Sequence, residues 1–138
     1  TIKPPKNQVK DYWKGVLLVP NRWLFIGKYK GVVSGSIQVV TASSANQAAI
    51  FRVSIDTHFV ATWARGHGLA KKLIEIAEIE CKKNNYTYIL LDVRETQTRA
   101  INLYEQLGYN LWGKLPNYHR LSGGEMISGN FYYKKLEK

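Results

Sequence analysis

The sequence predicts a single α/β domain over residues 1–138, built on one mixed β-sheet with helices packed against it. Two neighbouring strand-like segments are joined by a tight turn, which is typical of an antiparallel hairpin. A later strand-like segment passes through a glycine-rich loop into an amphipathic helix, which is typical of an α/β domain. Four Trp, nine Tyr and four Phe supply enough apolar surface for one core and exclude a disordered chain.

The first half of the chain is predicted to contain one helix and three strands. Apolar residues recur at spacings of three and four over Asn7–Val19, and this spacing predicts a short helix. Residues 22–27 and 31–40 are strand-like and predict the hairpin. Residues 41–47 are polar and predict a loop, whereas residues 48–60 are rich in β-branched and aromatic residues and predict a longer strand.

The middle of the chain is predicted to alternate helix and strand. A helix is predicted from the glycine loop through Lys83, with an apolar face that includes Cys81. Residues Tyr88–Val93 are almost continuously apolar and predict a central strand that is buried on both faces. A second helix is predicted over Thr98–Leu107, and Gly108 stands where a left-handed cap is expected.

The end of the chain is predicted to close the sheet with two strands, Tyr109–Trp112 and Asn130–Leu136, around a loop that contains Pro116. Both strands are candidates for pairing across a homodimer, because an exposed sheet edge presents unpaired backbone groups. Exposed aromatic residues near them could line an acceptor pocket or pack in the core. They are Trp112, Tyr118 and Tyr133.

Composition and charge exclude several functions. The net charge of +10 favours an anionic partner, but no run of five like charges occurs, which argues against nucleic acid as the main ligand. The longest apolar run, Gly15–Pro20, is too short to span a membrane. A single cysteine, Cys81, predicts a reducing, cytoplasmic location and is expected to act as a small buried hydrophobe. His58 and His67 lack ligands at fixed spacing, so we expect no metal site.

The loop at Arg65–Ala70 is the strongest candidate for a binding site. Its glycines let the backbone approach a phosphate, and the free N–H groups of the following helix attract an anion. A Walker loop is excluded because Leu69 follows Gly68 where that motif needs a lysine. A dinucleotide fingerprint is excluded because Lys71 stands where it needs a small residue. The alternative is that the glycines only permit a sharp turn.

Two ordered motifs carry a resemblance to a known family. They are Arg65-x-x-Gly68-x-Ala70 and Ala100-x-x-Leu103-Tyr104-x-x-Leu107-Gly108-Tyr109. Through these motifs the chain resembles the GNAT superfamily of acyl-CoA-dependent N-acetyltransferases. The resemblance covers about residues 10–138. The closing segments 113–118 and 131–136 resemble the branch of the tabtoxin-resistance acetyltransferase. The resemblance implies a mixed central sheet flanked by helices, from which the family's N-terminal strand and helix are missing before Asn7.

The resemblance implies acetyl-CoA as the co-substrate. The backbone of Arg65–Ala70 would bind its pyrophosphate, and its pantetheine chain would pair with the strand edge near Val60, whose amide would polarise the thioester carbonyl. Gln97 stands where the family often has asparagine. The residues expected to bind the cofactor are Phe59, Val60, Ala61, Arg65, Gly66, His67, Gly68, Leu69, Ala70, Gln97 and Tyr104.

The resemblance also implies direct transfer of acetyl to a primary amine of a small molecule or peptide, through a tetrahedral intermediate. Tyr104 is expected to protonate the departing thiolate, since a phenol and a thiol have similar pKa values. Many members of the family carry a glutamate base at the position of Ser54, so this base is missing here. Asp92, at the end of the central strand, is the first candidate for orienting or deprotonating the amine. Glu95, Asp56 and His58 are further candidates.

Two other classes of function stay open at this point. The missing N-terminal portion and the unassigned base favour a non-catalytic acyl-CoA-binding or protein-interaction module. A basic nucleic-acid binder is the third interpretation, and it predicts an affinity for duplex DNA that falls steeply with salt. The acceptor amine itself cannot be identified from the sequence.

Overall fold

A mixed β-sheet is the framework on which the rest of the chain is built. The computed structural model describes residues 13–16, 21–42 and 50–137. Apart from a short 3-10 helix at Thr62–Ala64, nine helices and strands occur in these ranges. In chain order they are β1 (Trp13–Val16), β2 (Arg22–Tyr29), β3 (Val32–Thr41), β4 (Arg52–Val60), α1 (Leu69–Lys83), β5 (Tyr88–Arg94), α2 (Thr98–Gln106), β6 (Asn110–Arg120) and β7 (Met126–Lys135).

The strands lie in the spatial order β1-β2-β3-β4-β5-β7-β6. All neighbouring pairs are antiparallel except β4 and β5, which are parallel and are connected through α1. A parallel pair needs a crossover of this length, because a short turn can join only antiparallel strands. The predicted α/β class with a mixed sheet is therefore confirmed.

The parallel pair opens into a split. Residues 52–54 of β4 pair with residues 88–90 of β5, and the ladder ends there. Beyond this point β4 continues to Val60 and β5 to Arg94. In the described part of the chain, the edge of β4 over residues 55–60 has a strand partner on the β3 side alone. The split thus leaves backbone groups of β4 available to a ligand.

The core lies on the face of the sheet that carries both helices. Leu73 and Ile74 of α1 and Tyr104 of α2 belong to one buried cluster with alternate residues of the strands. Gly27 and Gly35 let α1 approach the sheet closely. A Cβ atom on Gly27 would lie 2.7 Å from the Leu69 side chain of α1, and one on Gly35 would lie 3.2 Å from the Leu73 side chain of α1 and 2.7 Å from the Phe59 carbonyl oxygen of β4. The two glycines therefore set the height of α1 above the sheet.

Most predicted elements occur with small changes at their ends. The hairpin of β2 and β3, the helices α1 and α2 and the left-handed Gly108 (φ 93°) are confirmed. The strand predicted over residues 48–60 begins only at Arg52, after a turn at residues 50–51. The predicted loop over residues 41–47 falls mostly outside the described residues.

The helix predicted over Asn7–Val19 is wrong where the structure describes it. Residues Trp13–Val16 form β1, which pairs with β2 from Val16↔Trp23 to Trp13↔Ile26. A short apolar stretch fits both the helical period and the strand period. Gly15 disfavours a helix, and the edge of β2 offers backbone hydrogen bonds to a strand. The rest of that prediction, and the expected absence of a strand and helix before Asn7, lie outside the described residues.

Three predictions about the last strands are corrected. Pro116 lies within β6, not in a loop, because β6 is an edge strand with two irregularities in its pairing, and an edge tolerates proline. The segment Asn130–Leu136 is not an edge, since β7 pairs with both β5 and β6. The central strand β5 is not buried evenly on both faces: Ile89, Leu91 and Val93 are buried, and Asp92 is exposed.

Candidate active site

A cavity of about 580 Å³ lies beside the split between β4 and β5. Its lining comes from the end of β4, from the loop and first turn at residues 64–71, and from residues 96–104. The first turns of both helices therefore face the same space. This convergence follows from the topology, because each helix is connected by a loop to the end of a strand that borders the split.

The glycine loop brings bare backbone to one wall of the cavity. Gly66 (φ 86°) and Gly68 (φ 77°) adopt left-handed conformations that other residues take only with strain. Gly68 is the N-cap of α1 and supplies no side-chain hydrogen bond. The first helical bond runs from Lys72 N to Gly68 O (3.0 Å), so the N–H groups of residues 69–71 lack partners within the helix.

The start of α2 repeats this arrangement on the opposite wall. Its N-cap, Gln97, makes no side-chain capping bond, and the first helical bond runs from Ile101 N to Gln97 O (3.0 Å). No acidic residue occurs in the first turn of either helix. Arg65, Lys71 and Arg99 also line the cavity. Two helix N-termini and three cations together make a site for a ligand with several negative charges.

The unpaired edge of β4 presents an amide to the split. The N–H of Ala61 donates to Ser34 O on β3 (2.8 Å). Successive amides of an extended strand point to opposite edges, so the N–H of Val60 points away from β3 and toward the cavity that Val60 lines. This amide is placed to pair with an extended, amide-containing ligand or to stabilise a developing oxyanion.

A β-bulge turns His58 into the core face. Ile55 pairs with Val39 and Thr57 with the preceding Gln38, which leaves Asp56 as the extra residue on β4. The extra residue shifts the alternation of the strand, so that His58 lies on the side of the helices. Its Nδ1 lies 2.9 Å from the Tyr104 hydroxyl. The bulge thus joins β4 to α2 at the cavity.

Burial shifts the pKa values of this pair in opposite directions. Burial lowers the pKa of His58 to about 4, against the opposing effect of its hydrogen bond to the Ala70 carbonyl. Burial, and secondarily the charge of Asp92, raises the pKa of Tyr104 to about 12. At neutral pH the imidazole is therefore uncharged and Tyr104 is a phenol that retains its proton. Because the pKa of Tyr104 is raised, the expected similarity between the pKa values of this phenol and a thiol is not found in the free protein.

The structure brings most of the predicted cofactor residues to the cavity. Those that line it are Val60, Arg65, Gly66, Gly68, Leu69, Ala70, Gln97 and Tyr104. Three others do not. Phe59 is on the opposite face of β4 and is 54% exposed, and Ala61 is bonded to β3. The ring of His67 stacks on Tyr29, with centroids 4.7 Å apart.

The carboxylates predicted to act on the amine lie apart from the cavity lining. Asp92 is exposed near the end of β5, and its Oδ2 lies 3.7 Å from His119 Nε2. Its negative charge contributes, after burial, to the raised pKa of Tyr104. Glu95 Oε1 accepts a hydrogen bond from Ser128 N (3.0 Å), and Asp56 pairs with Arg22 on β2. Asp92 therefore has the most direct influence on the site.

Sequence reasoning missed part of the cavity. Lys71, Thr96, Thr98 and Arg99 line it, and their position beside the two motifs was the available signal. The contacts of His58 could not be found without the bulge. Cys81 is fully buried, and burial, followed by the charges of nearby glutamates, raises the pKa of its thiol to about 12. Its expected role as a small buried hydrophobe is confirmed.

Metal ligands and membrane-spanning helices are the remaining features of the described residues. Within residues 13–16, 21–42 and 50–137, no three His, Cys, Asp or Glu side chains cluster as metal ligands would. In the same ranges, neither helix combines the length and apolar character needed to cross a bilayer.

Comparison with known proteins identifies relatives. A model of the acetyltransferase (GNAT) family matches residues 3–109. An uncharacterized N-acetyltransferase from the hisH-hisA intergenic region of Azospirillum brasilense is 44% identical over 99 residues, which are 71% of this chain and 59% of that protein. The chain thus spans less than two thirds of the length of this relative.

Solved structures share the fold. The ribosomal-protein-S18-alanine N-acetyltransferase from Escherichia coli matches with a TM-score of 0.76 at 19% identity, over 87% of this chain and 72% of that chain. A phosphinothricin acetyltransferase from Sinorhizobium meliloti in complex with acetyl-CoA matches with a TM-score of 0.74 at 19% identity, over 83% of this chain and 61% of that chain. At these identities the likeness shows the architecture.

Proposed function

The chain belongs to the acetyltransferase (GNAT) family, and from this premise we propose that it transfers an acetyl group from acetyl-CoA to a primary amine of a small molecule or peptide. One observation carries the proposal: two uncapped helix N-termini and three cations converge on a cavity that also contains Tyr104 and an unpaired strand edge. A purely structural turn at Gly66–Gly68 would need none of these other features.

The cavity suits the parts of acetyl-CoA. Its pyrophosphate would accept hydrogen bonds from the backbone of residues 66–70, and Arg65, Lys71 and Arg99 would supply opposite charge. The amides of its pantetheine chain would pair with the free edge of β4 at Val60. The thioester would then lie between that edge and Tyr104, which closes the cavity on the α2 side.

Two groups of the chain act on the thioester during the transfer. The Val60 N–H would stabilise the negative charge that develops on the thioester oxygen as the amine attacks. The C–S bond then breaks, and the Tyr104 O–H gives its proton to the sulfur. The proton that the amine nitrogen loses restores the phenol. Amine and thioester thus become amide and thiol without any other reactant.

The attacking amine must first lose a proton, because an amine of pKa about 10.4 is only about 0.04% neutral at pH 7. We propose that Asp92 orients or deprotonates it. Asp92 is exposed near the end of the central strand β5, where sheets of this kind place their ligand sites, and it does not line the cofactor cavity. The exposed aromatic residues Trp112 and Tyr118 lie on β6 and are candidates for the acceptor pocket.

The proposal also includes a branch of the family, a homodimer and a cellular location. The resemblance of segments 113–118 and 131–136 supports the branch of the tabtoxin-resistance acetyltransferase. The exposed edge of β6 supports a homodimer contact, and the buried thiol of Cys81 supports a cytoplasmic location. We also propose that residues 1–138 form one domain.

Thiol release from acetyl-CoA tests the proposed activity. The protein is assayed with a panel of small amines, amino-acid derivatives and short peptides, with and without each amine. We expect amine-dependent release together with an acetylated product of the matching mass. Binding of acetyl-CoA without release by any amine would instead support a non-catalytic acyl-CoA-binding module. Affinity for duplex DNA that CoA does not displace would support the nucleic-acid interpretation.

A further inference from the structure

His58 contacts two parts of the candidate site at once, and the proposed transfer does not use it. Its Nδ1 lies 2.9 Å from the Tyr104 hydroxyl, and its Nε2 lies 2.9 Å from the carbonyl oxygen of Ala70. Ala70 belongs to the first turn of α1, beside the proposed pyrophosphate site, whereas Tyr104 is on α2. The imidazole therefore bridges the two helices that form opposite walls of the cavity.

The direction of both hydrogen bonds follows from the chemistry of the partners. The Ala70 carbonyl can only accept, so the proton of the neutral imidazole is on Nε2 and is donated to Ala70. Nδ1 then holds a lone pair and can only accept. The Tyr104 hydroxyl must therefore donate its proton to Nδ1. In the free protein the proton that the proposed reaction needs is directed at His58.

We propose that His58 is a positioning residue that fixes the Tyr104 hydroxyl relative to the cofactor-binding turn of α1. The inference rests on the proposed function and deepens it. Because one ring is bonded both to Ala70 and to Tyr104, a shift of the α1 first turn moves the phenol with it. A thioester held by its pyrophosphate at that turn would thus find the proton donor at a fixed distance.

His58 does not itself receive a proton in this scheme. A proton on Nδ1 would create a buried cation, and the lowered pKa of the ring opposes that charge at neutral pH. During transfer the Tyr104 O–H turns from Nδ1 to the sulfur, its O–H bond breaks and the S–H bond forms. His58 retains its Nε2 proton and its bond to Ala70 throughout.

Two amide substitutions separate the two hydrogen bonds. The terminal amide of Asn reaches the place of Nδ1, and that of Gln reaches the place of Nε2. His58→Asn thus retains an acceptor for Tyr104, while His58→Gln retains only the donor to Ala70. Since misplacement of a reacting group by about 1 Å can cost about 100-fold in rate, we expect His58→Gln to lower kcat about 30-fold and His58→Asn about threefold. The KM for acetyl-CoA should change less than about threefold in both.

A double-mutant comparison tests whether His58 acts through Tyr104. In a Tyr104→Phe background, His58→Gln should cause no further loss of kcat, because the hydroxyl that it positions is gone. Equal losses in His58→Asn and His58→Gln would overturn the inference. A further loss of kcat of the same size in the Tyr104→Phe background would overturn it as well.

A measurement without turnover keeps the inference separate from the proposed function. Nitrogen NMR of the His58 ring should place the proton on Nε2, and Tyr104→Phe should shift the Nδ1 resonance while Nε2 stays bonded. Addition of CoA should move both resonances, because the α1 turn is the proposed binding site. A proton on Nδ1 would overturn the inference. Ring resonances that shift neither in Tyr104→Phe nor on addition of CoA would overturn it as well. If the NMR results hold but no amine supports thiol release, the proposed activity fails and the link between cofactor turn and phenol stands.

Discussion

Tyr104 is the residue whose chemistry the proposed activity depends on most. It is 5% exposed, lines the cavity and donates its hydroxyl proton to His58. Tyr104→Phe removes the proton donor while the ring still fills its place. We expect kcat to fall about 100-fold, the usual scale of one general acid, with the Kd for acetyl-CoA changed less than about twofold.

A second buried tyrosine provides the control for that variant. The Tyr132 hydroxyl donates to Glu105 Oε2 (3.0 Å), and the ring is 1% exposed in the core away from the cavity lining. Tyr132→Phe should lower the free energy of unfolding by about 1 kcal/mol and leave kcat unchanged. If Tyr104→Phe also leaves kcat unchanged, Tyr104 has no part in the chemistry.

His58 should make the stability of the protein depend on pH. Its folded pKa of about 4 lies below the unfolded value of 6.5, so the unfolded chain binds more protons between these values. Its contribution is complete above pH 6.5 and is lost as pH falls toward 4, up to about 3 kcal/mol in total. Urea unfolding at pH 7.0, 5.5 and 4.5 measures this.

The comparison for that experiment is His58→Gln, which does not titrate. Carboxylates also titrate near pH 4, and the difference between the two proteins isolates the imidazole. The free energy of unfolding should fall more steeply with acid in the unmodified protein. Parallel pH curves would show that His58 is not held neutral in the folded state.

At the residue scale, the sequence predicts the motif residues but not their partners. The resemblance carried by the two motifs predicts that Arg65, Gly68 and Tyr104 lie at one site, and all three line the cavity. The contact of His58 with Tyr104 depends on the bulge at Asp56, which shifts the alternation of β4. Bulges have no reliable local signature, because the extra residue is defined by pairing with a distant strand.

Among the elements, α1 has the most direct effect on the proposed acetyl-CoA site, because its first turn lines the cavity. A Cβ atom on Gly35 would lie 2.7 Å from the Phe59 carbonyl oxygen and 3.2 Å from Leu73. Gly35→Ala should therefore push the end of β4 and the Leu73 side chain of α1 away from β3, lower the free energy of unfolding by about 1–3 kcal/mol and raise the Kd for acetyl-CoA. Denaturant unfolding and calorimetry measure the two effects.

Gly113 is the matched position for this test. It also lies in a strand, β6, and a Cβ atom added there would meet no heavy atom within 4 Å. Gly113→Ala should change neither the free energy of unfolding by more than about 0.5 kcal/mol nor the affinity for acetyl-CoA. If the two variants behave alike, close packing of α1 does not position the site.

At the element scale, prediction succeeded where the signal is local. The hairpin turn, the amphipathic helix α1 and the helix α2 before Gly108 all have sequence patterns of their own. The sequence predicts a helix where β1 lies and a strand shorter than β6, because both strands are defined by partners elsewhere in the sheet. Pairing with β7 carries β6 through Pro116, a residue that predicts a loop when the sequence is considered alone.

At the scale of the whole molecule, the charge of +10 should assist an anionic substrate. Three of the cations line the cavity: Arg65, Lys71 and Arg99. Raising the salt concentration from 50 mM to 500 mM should weaken acetyl-CoA binding severalfold, since screening shortens the range of these charges to about 4–5 Å. Binding of acetyl-pantetheine, which lacks the pyrophosphate, should change little. Equal salt dependence of the two ligands would place the phosphates outside the basic cavity.

Calorimetric titration of the protein with acetyl-CoA tests the central claim most directly, because every proposed step requires this ligand at the cavity between α1 and α2. We predict one-to-one binding with a micromolar Kd, competition by CoA, and weakening by at least about tenfold in Gly68→Val, which cannot adopt φ 77° without strain. Absence of binding at millimolar acetyl-CoA would contradict the account, and the cavity would then have to be assigned to another ligand.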